Sequence, residues 1–206
     1  MRRQKIASIA FIILFLLSIM IMIQLSLGRL PLLDRATREF VLFFTGPSYS
    51  FFRYITELGS KTFVIPIVTL FACIVYMKTK RVIISLLFLA SILFAHLTNV
   101  LLKHIFLRER PSMVAAYDAL GYSFPSGHAM VSFVTYALIA YFLLHYIVDT
   151  TWETFIYIAA ILLIGLIGFS RFVLNVHFLT DIIVGYFFGS IVFYLTVRIA
   201  KKIKIE

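Results

Sequence analysis

Two histidines in this chain, His128 and His177, stand beside groups that would make an imidazole reactive. His177 and Asp181 are four residues apart, so on a helix they share one face. A carboxylate there accepts the N–H of one ring nitrogen, which fixes the tautomer and leaves the other nitrogen free to attack. Asp181 taken alone would serve equally well as a helix cap. His128 closes the quartet Pro125-Ser126-Gly127-His128, at the mouth of a long apolar run. Serine is a favoured N-cap, and the first turn of a helix leaves backbone N–H groups without intrahelical partners. Gly127, with no side chain, would let an anion come close to the backbone, and a helix start of this kind suits a phosphate.

Fixed positive charge accompanies both histidines. His96, Asn99 and Lys103 recur at steps of three and four and form one helical stripe. His96 and Asn99 read as hydrogen-bonding groups between helices. Lys103 lies near the end of the apolar run Val82–Phe106, and Arg110 precedes Pro111, which biases it out of helical backbone. Arg171 lies six residues before His177. Any one of these cations read singly is a boundary residue that snorkels. Together, Lys103, Arg110 and Arg171 with two histidines, one of them backed by a carboxylate, are the equipment for breaking a phosphate ester by nucleophilic attack. A phosphoryl group in flight spreads negative charge over its equatorial oxygens, and cations and N–H donors stabilise it. The orienting acid activates the nucleophile.

The elements that must position these residues are membrane spans. Of 206 residues, 62% are hydrophobic and 14% charged, against about a quarter charged in an ordinary soluble domain. Runs of about 20 apolar residues cross a bilayer. Six are expected: Ile6–Leu27, Thr62–Met77 (with Pro66 inside), Val82–Phe106, Gly127–Val148, Glu153–Phe169 and Leu179–Ile199. The fold class is therefore an all-α bundle of six transmembrane helices, residues 1–206 forming a single domain. The first apolar run is longer than the 7–15 residues usual for a cleaved signal, and it is expected to stay as a helix. Asp34–Gly59 differs. Phe51, Phe52, Ile55 and Leu58 are spaced as one helical face, and a Gly46-Pro47 break precedes them. Charges interrupt the pattern, which predicts two short interfacial helices between spans 1 and 2 that serve mainly in packing. Cys73, the single cysteine, reads as a small hydrophobe.

The net charge of +10 would suggest nucleic acid in a soluble protein. Here most basic residues flank apolar spans, and anionic lipid headgroups account for them without nucleic acid. Placing both termini in the cytoplasm puts Arg2, Arg3, Lys5, Lys78, Lys80, Arg81, Arg198, Lys201, Lys202 and Lys204 inside, in short tails and one tight turn, where the positive-inside bias counts most. Loops 28–61, 103–127 and 170–178 then face outward. Parity puts all three polar clusters on that one face.

The segments "KHIFLRERP" (Lys103–Pro111), "PSGH" (Pro125–His128) and "SRFVLNVHFLTD" (Ser170–Asp181) resemble the three-part signature of the type 2 phosphatidic acid phosphatase superfamily, in its bacterial membrane branch. Each motif alone is weak. All three, complete and in order, are highly specific. The resemblance implies a metal-independent lipid phosphatase without cofactor, acting on phosphatidylglycerol phosphate or undecaprenyl pyrophosphate. It implies that His177 attacks phosphorus to form a phosphohistidine, that Asp181 orients it, and that His128 protonates the departing oxygen. Lys103, Arg110, Ser126, Gly127 and Arg171 would hold the phosphate. A phosphotransferase on the same fold differs only in which acceptor reaches the phosphohistidine. An intramembrane serine hydrolase built on Ser126 leaves the three cations unexplained and lacks the G-x-S context. A non-enzymatic anion-binding or transport subunit explains the cations but not the His177–Asp181 spacing. Oligomeric state is open on the sequence.

Overall fold

The computed structural model describes residues 2–112, 119–146 and 150–203. Among them the regular elements are all helical. They are α1 (Arg2–Ser26), α2 (Leu32–Thr37), a 3-10 segment (Arg38–Phe43), α3 (Gly46–Glu57), α4 (Lys61–Thr79), α5 (Val82–Phe106), α6 (Gly127–Tyr146), α7 (Thr150–Val173) and α8 (Leu179–Lys202). Six of these, α1 and α4 to α8, are long and apolar enough to cross a membrane. The third span has the expected limits. The fifth is longer at both ends than Glu153–Phe169, which brings Arg171 into the last turn of a helix. The expected end of span four, Val148, lies outside the described residues, as does Lys204.

The interfacial stretch is built differently from the expected pair of helices. It holds three pieces, because the chain tightens from α2 directly into the 3-10 segment before Phe44 turns extended. Gly46, with φ +53°, then starts α3, and Pro47 occupies its first turn, where a missing N–H costs nothing. Phe44 and Phe52 of this stretch meet Phe169 of α7 edge to face at 5.6 and 5.5 Å. Phe40 stacks on Phe172 at 6.5 Å. These rings clamp the interfacial segment to the end of α7 that carries Arg171.

The bundle is organised around α6, which packs against α4, α5, α7 and α8. Its tightest neighbour is α8. A Cβ added at Gly185 would come within 2.8 Å of the Ser126 carbonyl oxygen, and one at Gly189 within 3.0 Å of the Met130 carbonyl oxygen. Two glycines four apart therefore let the backbones of α6 and α8 touch at the end where the polar motifs lie, a packing device common between membrane helices. On the far side, α4, α5, α6 and α8 share a core that includes Val68, Phe71, Phe88, Met130, Leu138 and Phe142. Phe88 is fully buried, with Phe71 at 5.4 Å and Phe142 at 6.1 Å. Phe88→Ala is expected to destabilise the detergent-solubilised protein by roughly 3 kcal/mol through the cavity it leaves, read as a lowered unfolding midpoint. Cys73 lies on an exposed face of α4, and His96 on an exposed face of α5. Among the described residues His96 thus makes no interhelical hydrogen bond of the kind expected, whereas Asn99 bonds the Pro125 carbonyl just before α6.

Candidate active site

The site forms where α5 and α7 end and α6 and α8 begin. Asp181 stands in the first turn of α8. Its Oδ2 accepts the Phe178 amide at 3.0 Å and faces His177 Nδ1 at 3.3 Å. Capping and bracing are thus not alternatives: one carboxylate oxygen does both. The other ring nitrogen of His177, Nε2, lies 2.9 Å from Arg110 Nη1. A guanidinium only donates, so Nε2 accepts, and the ring proton sits on Nδ1 toward Asp181. A single tautomer satisfies both contacts.

His177 is 2% exposed. Burial holds its pKa well below the ordinary histidine value, and the charges of Arg110, Arg171 and Lys103 push the same way, against an opposing contribution from the Ser123 backbone. A lowered pKa keeps the ring neutral, with its lone pair available, down to lower pH. The acid limb of kcat/KM, which reports the free enzyme, is therefore expected below pH 6.5 in a phosphate-release assay. A limb at or above that value would count against His177 as the group that must be neutral.

The cations converge on this ring. Arg110 donates to the carbonyls of Gly121 (2.9 Å), Val176 (2.8 Å) and Leu120 (3.3 Å) as well as to His177. Burial lowers its pKa from the usual arginine value and Asp181 opposes the shift, but arginine's high starting point keeps it charged. Lys103, in the last turn of α5, donates to the Tyr122 carbonyl. Arg171 is fully buried and donates from Nη1 to Thr56 Oγ1 at 2.7 Å. Its own carbonyl accepts the amides of Val176 and His177, each at 3.2 Å. That backbone clasp sets the spacing between Arg171 and His177.

The Pro125–His128 segment meets α8 through the backbone. The Ser126 amide donates to the Asp181 carbonyl at 3.0 Å, and Ser126 Oγ caps the Ala129 amide at 3.4 Å. Gly127 has a different physical reason from the expected one. A Cβ there would lie 3.0 Å from Asn99 Oδ1, and Asn99 Nδ2 donates to the Pro125 carbonyl at 3.0 Å. The space left by the missing side chain is taken by Asn99 and not kept open for an anion. The amides of Gly127 and His128 still open the helix without intrahelical acceptors. His128, half-buried in this first turn, lies within electrostatic reach of Arg171, His177, Arg110 and Lys61.

All eight residues expected at the site are thus gathered at one end of the bundle. Sequence reasoning passed over Asp34, Thr56 and Thr180, and set Arg108 beside Lys103, Arg110 and Arg171 without giving it a role. Asp34, on α2, is 2% exposed and is joined to Arg108 Nη2 at 2.6 Å. The signals were faint: an acid directly after the apolar pair Leu32-Leu33, and a second arginine two residues before Arg110.

The pattern of the PAP2 superfamily matches residues 84–205, which carry every motif of the site. The chain belongs to that superfamily and is a multi-pass membrane phosphatase. Phosphatidylglycerophosphatase B of Bacillus subtilis (strain 168) is 34% identical to it over 153 residues, 73% of this chain and 74% of that protein. A crystal structure described as the first transmembrane PAP2-type phosphatidylglycerolphosphate phosphatase from Bacillus subtilis superposes with a TM-score of 0.78. It is 28% identical, and the match covers 95% of this chain and 96% of that one. Aquifex aeolicus LpxE shares the fold, with a TM-score of 0.57 over 78% of this chain and 92% of its own, at 23% identity.

Proposed function

We propose that this protein hydrolyses a lipid phosphate monoester, phosphatidylglycerol phosphate first among candidates, through a phosphohistidine on His177. The observation that carries the reading is the position of the His177 ring, with Asp181 on Nδ1 and Arg110 on Nε2. Arg110 marks the place of a phosphate oxygen beside the attacking nitrogen. When the lipid phosphate enters, Arg110 exchanges its bond to Nε2 for one to the anion, and the freed lone pair attacks phosphorus. The P–O bond to the lipid breaks, its electron pair stays on the lipid oxygen, and His128 supplies the proton. Water then attacks phosphorus, giving its proton to His128; the P–N bond breaks, its electron pair returns to Nε2 of His177, and inorganic phosphate leaves. Lys103, Arg171 and the opening amides of α6 hold the equatorial oxygens. The relatives named for phosphatidylglycerol phosphate support this substrate. Undecaprenyl pyrophosphate is the second reading, since a terminal phosphate on a lipid presents the same oxygens to the same cations.

The positive charge in the tails and in the α4–α5 turn supports cytoplasmic termini and a site at the outer face. Purified protein in EDTA, given phosphatidylglycerol phosphate and undecaprenyl pyrophosphate in competition, is expected to release phosphate with a higher kcat/KM for the monoester. Absence of phosphate release from either lipid would overturn the proposal, and preference for the pyrophosphate would reverse the order of the two substrates.

A further inference from the structure

We propose that Arg108 and Asp34 are positioning residues that hold the Asp181–His177 pair in register and tie it to the interfacial segment. Neither is among the residues that the phosphatase signature singles out. Arg108 Nη1 donates to Asp181 Oδ1 at 2.5 Å and to Thr180 Oγ1 at 2.9 Å, and Nη2 reaches Asp34 Oδ2 at 2.6 Å. The guanidinium lies 3.9 Å over the Phe178 ring. Asp34 in turn accepts the Thr180 amide at 3.1 Å on Oδ1 and the Thr180 hydroxyl at 2.6 Å on Oδ2. The Arg108 side chain is 8% exposed and both carboxylates are fully buried.

This arrangement divides the labour of Asp181 between its two oxygens. Oδ1 is occupied by Arg108, so Oδ2 alone serves His177 and the Phe178 amide. Rotation of the carboxylate would break three bonds at once. Arg108 is held by its planar fork between two acids, a geometry that lysine cannot reproduce. Asp34 supplies the second acid from α2, 147 positions before Asp181 in the chain. The interfacial segment is thereby part of the frame of the nucleophile, and not only packing against α7. The titratable and charged groups that face the buried His177 ring are Arg110, Arg171, Lys103, His128 and Asp181. Arg108 and Asp34 act on it through Asp181.

The inference rests on His177 as nucleophile, so H177A accompanies the test. In purified protein, R108Q is expected to lower kcat by about 10- to 100-fold, as for other supporting groups behind a reactive histidine, with KM changed less than about twofold. It leaves two buried acids without their cation, so the acid limb of kcat/KM is expected to move to higher pH. D34N, which removes one of those acids, lowers kcat without raising that limb. R108K restores only part of kcat. A general loss of packing would not displace the limb in R108Q alone. Wild-type kcat and pH profile in monodisperse R108Q would overturn the inference, as would a raised KM at unchanged kcat. Should R108Q not fold, unchanged kcat in D34N has the same force. Inactive H177A beside normal R108Q removes this inference alone, whereas active H177A removes the reading beneath it.

Discussion

His177→Ala is expected to abolish phosphate release from every lipid substrate, with a loss of at least about 10⁴-fold, the scale on which removal of an essential nucleophile acts. His177 has one ring nitrogen on the buried Asp181 carboxylate and the other against Arg110, so alanine removes the nucleophile and leaves the acid and the cation facing a void. Water placed there could bind Asp181 but would not be held where Nε2 stood. Rapid quench of wild-type protein on a labelled lipid phosphate is expected to trap a phosphoenzyme that is lost in acid and survives in base, as a P–N bond requires. An acid-stable adduct, or residual turnover of H177A above about a hundredth of wild type, would move the nucleophile elsewhere.

His128→Ala carries the second largest effect, and it depends on substrate. A monoester must expel a lipid alkoxide, a poor leaving group that needs its proton in the transition state, and general acid catalysis supplies about 10²- to 10⁴-fold. A lipid pyrophosphate expels a phosphate, which departs without that help. The mutant is therefore expected to lose about 10³-fold in kcat on phosphatidylglycerol phosphate and far less on undecaprenyl pyrophosphate. Equal losses on the two lipids would show that His128 holds the phosphate and does not protonate the leaving oxygen. The position of His128 in the first turn of α6, within reach of Arg171, His177 and Arg110, bears on the timing of its protonation. The arriving phosphate dianion brings to this turn the negative charge that an imidazolium needs beside it.

The spans were legible because their signal is local. A run such as Val82–Phe106 declares itself by length and hydropathy, and the helix has the limits read from the sequence. The eight candidate residues could be picked out because their types and spacings are confined to three short segments. Asp34 and Thr56 were not. Their partners, Arg108 and Arg171, lie 74 and 115 positions away, and nothing within an amphipathic stretch says which polar side chain will turn toward a distant arginine. Gly127 was read as a place of close approach, and the side chain that takes up the space beside it, Asn99, arrives from another helix. His96 shares a helical stripe with Asn99 and Lys103, yet three-residue steps drift around the axis. That drift puts Asn99 inside and leaves His96 on the outer surface.

The contact between Arg110 and His177 Nε2 has a chemical consequence for the idle protein. A neutral imidazole with an open lone pair would attack any electrophile that drifted past and would be a ready ligand for stray transition metals. Here the lone pair is stoppered by a guanidinium that itself hangs from three backbone carbonyls. The stopper yields only to something that satisfies arginine better than nitrogen does, and an oxyanion meets that requirement. On the proposed reading, reactivity is unlocked by the same charge that identifies the substrate, and an uncharged lipid sliding through the bilayer leaves the ring asleep.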